Sequence, residues 1–389
     1  MIFDLHLLFS GDPSRCGGFP FFRSKIFTSY WTKRKKYCIL TFDVQTHETR
    51  QGLVRIMNMK QWLKELRDAP VKRALPILSF PSVQLMDITV RELIASAETQ
   101  ARGMKLVADR IDSAAAVSMM DLSVEAEALG ACVSVSDHEV PVVTGHIIET
   151  QQEADALQLP AIEDARTGLY VEAIRRACEQ ITDRPVLAGT IGPFSLAGRL
   201  LDVTEIMMLC YDEPEMVHTV LEKVTEFLIR YIRAYKQTGA GGVVVAEPLA
   251  GLLSPALMKE FAAPYMKRIV DAVQDDEFIV VYHNCGGAVL RLVDAIVSCG
   301  AAAYHFGNAI DMKAMLEKMP EDVVVMGNIN PVEQLTEGTP EGVYAATKEL
   351  LERCSAHKNF VISSGCDVPP RANWDNIDAF FRAVEDFYR

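Results

Sequence analysis

Short runs of β-branched and other apolar residues alternate with longer amphipathic stretches from residue 57 to the C-terminus. This alternation restricts the fold more than any other feature of the chain. The apolar runs are AAAVSMMD near residue 115, PVLAGTIG near 187, GGVVVAEP near 243, FIVVYHNCGG near 279, AAAYHFGN near 302, DVVVMGNINP near 323 and NFVISSGCD near 360. Strands that are apolar at successive positions, rather than at alternate ones, are buried on both faces, which is the mark of a parallel sheet covered by helices. Helical spacing fills the intervals, as in VRELIASAETQARGMKLVADR (90–110), DEPEMVHTVLEKVTEFLIRYIRAYKQ (212–237) and PALMKEFAAPYMKRIVDAV. Seven strands are clear. CVSVSD, which also reads as half of a hairpin with VPVVTG, or the weaker run ALPILSF, supplies an eighth. The pattern predicts an α/β protein, a (β/α)8 TIM barrel of roughly 330 residues. A doubly wound open sheet is the competing architecture, but no G-x-G-x-x-G follows the first strand.

Residues 1–56 do not share the alternation. They hold nine Lys/Arg against four Asp/Glu, so the remainder of a chain with formal charge −13 carries −18. Ten aromatics and the run Lys33-Arg34-Lys35-Lys36 make this a basic, aromatic-rich extension outside the barrel, which is assigned to 57–389. Asp4 and the short run HLLF do not suit a signal peptide. NMKQWLKELRDAP opens an amphipathic helix, so translation starting at Met57 or Met59 is a further reading. The overall negative charge argues against wrapping nucleic acid. No apolar run approaches the ~18 residues of a membrane helix. Nine cysteines without a framework read as reduced thiols, and the expected setting is cytoplasmic.

In a barrel of this type, chemistry collects at the C-terminal ends of the strands. There the predicted strands present Asp121, Glu247, His283 with Cys285, His305, Asn328 and Cys366. In VVYHNCGG, His283 and Cys285 are two apart and share one strand face. Cys366, in GC, gives the third member of a His/Cys/Cys set with the donor chemistry of zinc and one position left for a reactant. The alternative for both thiols is that of a small buried hydrophobe. Cys178, Cys210, Cys299 and Cys354 fall in or beside helices and read as structural. Glu247 is a candidate fourth ligand or acid–base group, because a buried carboxylate must have its desolvation offset. Asp121 and His305 are candidates for holding substrate, and a hydrogen-bonded structural role is the alternative for His305. Asn328 either binds a ligand or holds a turn. Arg199 either meets an anion or lies exposed on a helix.

GPFSLAGRLL, EPLAGLLSPALMKEFAAPYMKRI, YHNCGG, GNINPVEQLTEGTPEGV and ISSGCDVPP resemble the uroporphyrinogen decarboxylase superfamily from about residue 57 onward. The H-x-C…C set is similar to its zinc-dependent methyltransferases that work with corrinoid proteins. That resemblance implies zinc held by His283, Cys285 and Cys366, a corrinoid protein as partner, and a small thiol or other methyl acceptor or donor. The other reading within the superfamily is porphyrinogen decarboxylation. The decarboxylases' R-Q-A-G-R segment has no counterpart near ILSFPSVQLMD, their tyrosine after P-W-T-L falls at Arg199, and their late G-H-G region is SSGCDVPP here. Asp121 matches the aspartate of their F-S-D-I-L motif.

Overall fold

The computed structural model describes residues 57–389, together with the backbone of an antiparallel pair, Trp31–Thr32 with Lys35–Lys36. The chain divides into two units, Met1–Leu53 and Val54–Arg389. Apart from that pair, the expectations for residues 1–56 and for an internal start fall outside the described residues.

The seven strands expected from the apolar runs are present in the second unit: β1 (Ala116–Val117), β2 (Val186–Ile191), β3 (Gly242–Ala246), β4 (Ile279–Asn284), β5 (Ala303–Phe306), β6 (Val324–Ile329) and β7 (Phe360–Ser364). Each is parallel to the next and hydrogen-bonded to it in chain order. The eighth position belongs to ALPILS. Leu75 N–H donates to the Ile362 carbonyl of β7 (3.0 Å), and Ala114 N–H, beside β1, donates to the Ala74 carbonyl (2.9 Å). Ser79 Oγ also donates to the Val117 carbonyl at 2.6 Å. The segment therefore spans the gap between β7 and β1. Pro76 has no N–H to give, so the ladder here is broken. CVSVSD is corrected from the eighth strand to an antiparallel hairpin, Cys132–Ser134 with Val142–Thr144. Its alternating exposure suits a two-stranded ribbon rather than a buried barrel strand.

Alternation along each strand separates two cores. Leu187, Val244, Ile279, Val281, Ala303, Val324, Met326 and Val361 fill the barrel interior, where Leu75 and Ile77 join them. Met59, Leu63 and Leu66 of the helix Met59–Asp68 belong to this inner cluster as well. Val243, Val245, Val280, Tyr282, Tyr304, Phe306, Val325 and Ile362 point outward into the helical layer. Continuing the inward register, His283, His305 and Ser363 take interior positions above this apolar filling.

Two expected helices are interrupted. The stretch 90–110 divides into Val90–Ile94 and Ala97–Arg110, because Ser96 accepts from Thr99 N–H and caps the second piece. The stretch that begins at Pro255 widens into a π-helical turn, Met258–Ala262, before Ala263–Val273. Pro264 cannot donate there, and a wider turn relieves that constraint.

Candidate metal centre and its surroundings

His283, Cys285 and Cys366 meet at the C-terminal mouth of the barrel. His283 is the last inward residue of β4, and Cys285 follows it in the loop. Cys366 lies two residues beyond β7. One donor atom from each residue lies within 4.8 Å of the other two. The Cys366 Sγ is 3.5 Å from His283 Nε2. Zinc bonds of ~2.0–2.3 Å set tetrahedral donors roughly 3.3–3.8 Å apart, so a small contraction of these side chains accommodates the ion. Donor type and spacing both fit. His283 is buried, whereas Cys285 and Cys366 are partly exposed residues. Gly307 is required here. A Cβ on it would meet Cys285 Cα at 2.5 Å.

The two thiols differ from those of Cys178, Cys210, Cys299 and Cys354. The Cys285 thiol is lowered to about 4, first by the hydrogen bond from Cys366 and then by His283, against the opposing effect of burial. Cys366, as donor in that bond, is pushed up. Burial instead pushes Cys178, Cys210 and Cys299 up to about 12 and Cys354 to about 11, which fits their expected structural role.

His305 stands behind this cluster. It pairs with His283 across β4 and β5. Its Nδ1 is 2.8 Å from His283 Nδ1, and its Nε2 is 2.7 Å from Ser363 Oγ. Burial, then the neighbouring His283, holds its pKa well below the ordinary imidazole value. Both ring nitrogens are committed inside the protein.

Glu247 follows β3 directly, but its carboxylate turns away from the three donors. Oε1 accepts from Phe194 N–H (2.9 Å), and Oε2 accepts from Ser195 N–H (3.0 Å) and Ser195 Oγ (2.7 Å). It therefore caps the helix Pro193–Leu201 from the neighbouring strand, an anion-binding position at a helix N-terminus. Gly192 leaves room for it, since a Cβ there would meet Glu247 Cγ at 2.3 Å. Burial nevertheless pushes the carboxyl up to about 7, against the hydrogen bonds from Ser195 and Phe194. Only the Glu247 backbone approaches the metal-fitting loop: its N–H donates to the His283 carbonyl, and its carbonyl accepts from Asn284 Nδ2 at 2.7 Å.

Asp121 is taken up by a network of its own. Oδ2 accepts from Arg166 Nη1 and from Tyr170 Oη (2.6 Å), while Oδ1 accepts from Ser123 Oγ (2.6 Å) and Ser123 N–H (3.2 Å). Arg166 also donates to Glu127. In this geometry Asp121 has no lone pair left for a substrate. Asn328 holds a turn by donating to the Gly307 and Ile310 carbonyls. Arg199 is half-buried, and no acceptor lies within hydrogen-bond reach among the described residues; burial alone lowers its pKa.

Three residues gave no signal of their own in the sequence. Arg166 and Tyr170 lie 45 and 49 residues from Asp121 and are brought to it only by the barrel. Asp367 adjoins Cys366, and that adjacency was a usable hint. Its Oδ2 accepts from Met120 N–H (2.8 Å), while Oδ1 is enclosed without a partner among the described residues. Burial pushes this carboxyl up to about 8, opposed by the backbone N–H groups of Met120 and Val368.

Comparison with known proteins places this geometry. The chain is 29% identical over 262 residues to the methylcobamide:CoM methyltransferase MtbA of Methanosarcina acetivorans, covering 65% of this chain and 75% of that one. It is 28% identical over 250 residues to a uroporphyrinogen decarboxylase of Synechococcus sp., covering 61% and 69%. Among solved structures, a methyltransferase from Methanosarcina mazei superposes with a TM-score of 0.76 at 22% identity, over 86% of this chain and 100% of that one, which shows a shared fold. The family described as uroporphyrinogen decarboxylase (URO-D) matches residues 71–387, and the chain belongs to that family.

Proposed function

We propose that this chain is a zinc-dependent methyltransferase that moves a methyl group between a corrinoid protein and a small thiol or other methyl acceptor or donor. The convergence of His283, Cys285 and Cys366 on one position carries this reading. Similarity to a methylcobamide:CoM methyltransferase supports it. Zinc with one open position would supply a Lewis acid that keeps a coordinated thiol deprotonated at neutral pH.

The chain's own residues supply the rest. The hydrogen bond from Cys366 and the neighbouring His283 bias Cys285 toward thiolate, the form that binds an ion. The apolar filling beneath His283 closes the inner side of the site to water. The partly exposed thiols leave the outer side open to a small molecule and to the methyl carrier on its partner protein. Arg199, half-buried with no acceptor among the described residues, is the cation we assign to an anionic group on the small molecule. The seven cysteines among the described residues are free thiols, which suits a reducing cytoplasm.

Uroporphyrinogen decarboxylation is the second reading, because relatives of similar identity carry that name. Against it, Asp121 is fully engaged by Arg166, Tyr170 and Ser123. Metal analysis of protein purified without added metal, followed by an absorbance assay with methylcobalamin and a panel of thiols, separates the two. About one zinc per chain and loss of the methyl–cobalt band, both abolished in Cys285→Ala, are expected. Metal-free protein that decarboxylates uroporphyrinogen would overturn the proposal.

A further inference from the structure

We infer that His305 and Ser363 form a positioning relay that holds His283 in the tautomer whose Nε2 lone pair faces Cys285 and Cys366. The inference rests on the zinc reading for its purpose, but on hydrogen-bond accounting for its existence. The chain of contacts begins at a group that only accepts. Ser363 Oγ donates to the Leu75 carbonyl at 2.7 Å. A serine hydroxyl has one proton, so toward His305 Nε2, 2.7 Å away, Ser363 Oγ must accept. His305 Nε2 therefore carries a proton.

His305 is 1% exposed and has no carboxylate among its hydrogen-bond partners, so it is a neutral ring with a single N–H. Its Nδ1 is consequently a lone pair. His283 Nδ1, 2.8 Å away, must donate to it. A second contact points the same way. His283 Nδ1 is also 3.3 Å from the His305 carbonyl oxygen, which again only accepts. With its proton on Nδ1, the neutral form of His283, the one that binds a metal, presents its Nε2 lone pair 3.5 Å from Cys366 Sγ. The reverse arrangement would leave the Leu75 and His305 carbonyls facing lone pairs inside a dry barrel, where unmatched polar groups are costly.

The fold explains why three separate strands are needed. His283 and His305 are register partners on β4 and β5, and Ser363 is an inward residue of β7. Leu75 belongs to the segment that closes the barrel, so the relay ends on the closure itself. A ligand imidazole is commonly fixed by an acceptor at its other nitrogen; here that acceptor is a second histidine, set in turn by a serine. His305 acts through His283 and does not touch the reacting atoms.

The direct test is long-range proton–nitrogen correlation on reduced, metal-free protein carrying ¹⁵N-histidine, with His305→Asn used for assignment. The expected spectrum shows His283 protonated at Nδ1 and His305 at Nε2. His283 protonated at Nε2 would overturn the relay. Zinc affinity, read by chelator competition on variants whose folding is checked by circular dichroism, gives the second measurement. Ser363→Ala and His305→Leu should bind zinc about 10–100-fold more weakly. His305→Asn, whose Oδ1 takes the place of Nδ1, should recover most of that loss. Undiminished affinity in folded Ser363→Ala and His305→Leu would refute the relay. Wild-type protein that takes up no zinc would sink the zinc reading alone, and the nitrogen spectrum would still decide the relay.

Discussion

Two clusters at the mouth of this barrel are built from similar material and end up differently. At β4 and β7, the donor atoms of His283, Cys285 and Cys366 converge and contact chiefly one another. Beyond β1, Asp121 meets Arg166, Tyr170 and Ser123, and both of its oxygens are filled. Both sets consist of polar residues at strand ends, the position where barrel enzymes keep their chemistry. The difference lies in satisfaction. A buried polar group with all its partners in place stabilises the fold, whereas converging donors that lack a common partner mark a place for a ligand.

The largest expected contrast comes from removing one member of each cluster. Cys285→Ala should lower bound zinc from about one equivalent per chain to near none, with little change in the thermal midpoint, because the thiol is partly exposed. Arg166→Ala should leave zinc content unchanged and cost about 3–5 kcal/mol of stability, since it strands the buried Asp121 carboxylate. Elemental analysis and urea unfolding of both variants check this pair. If Arg166→Ala loses zinc while remaining folded, the two clusters are not separate.

A smaller effect sharpens the structural side. Tyr170→Phe removes one of the donors to Asp121 and should destabilise by about 1–2 kcal/mol. A cost near zero, measured by urea unfolding, would mean that the network is looser than its distances indicate.

Glu247 lies between the two types, and its behaviour with pH tests where it belongs. Its carboxyl is raised from 4.5 to about 7, so between those values the folded chain keeps a proton that the unfolded chain releases. Its contribution to stability is therefore fully present below about 4.5 and is lost as pH rises through about 7. Glu125 and Asp367, also raised by burial, act in the same direction. Glu247→Gln should remove one share of the decline in thermal midpoint over this window. A slope identical to that of the wild type would show that Glu247 does not titrate there.

The smallest effect concerns Arg199. Arg199→Ala should raise KM several-fold for an anionic thiol and leave KM for a neutral thiol unchanged, with folding intact. Equal changes for both thiols would remove any role for its charge.

Much of the fold was legible because its period is local. Each buried strand announces itself as a short apolar run, and seven of them appear where the sequence places them. The eighth was ambiguous for a physical reason: Pro76 breaks the ladder in ALPILS, so the closing segment lacks a regular strand pattern, while CVSVSD carries the alternation of a hairpin. The metal-fitting residues were legible by donor type and strand-end position, although Cys285 lies in the loop just past β4 rather than on the strand face expected for it. Asp121, His305 and Glu247 were visible as strand-end polar residues, but what each of them bonds was not.

The sequence by itself determined the parallel strands and the layered order of strand and helix. These follow from periodicity, which acts over a few residues. Only the tertiary structure decided which polar groups are spent. Arg166 reaches Asp121, the helix Pro193–Leu201 takes the Glu247 carboxylate, and Ser363 sets His305, in each case across tens of residues of chain. Hydrogen bonds depend on distance and direction in space, so the lone pairs left over at Cys285, Cys366 and His283 emerge only after the barrel has closed.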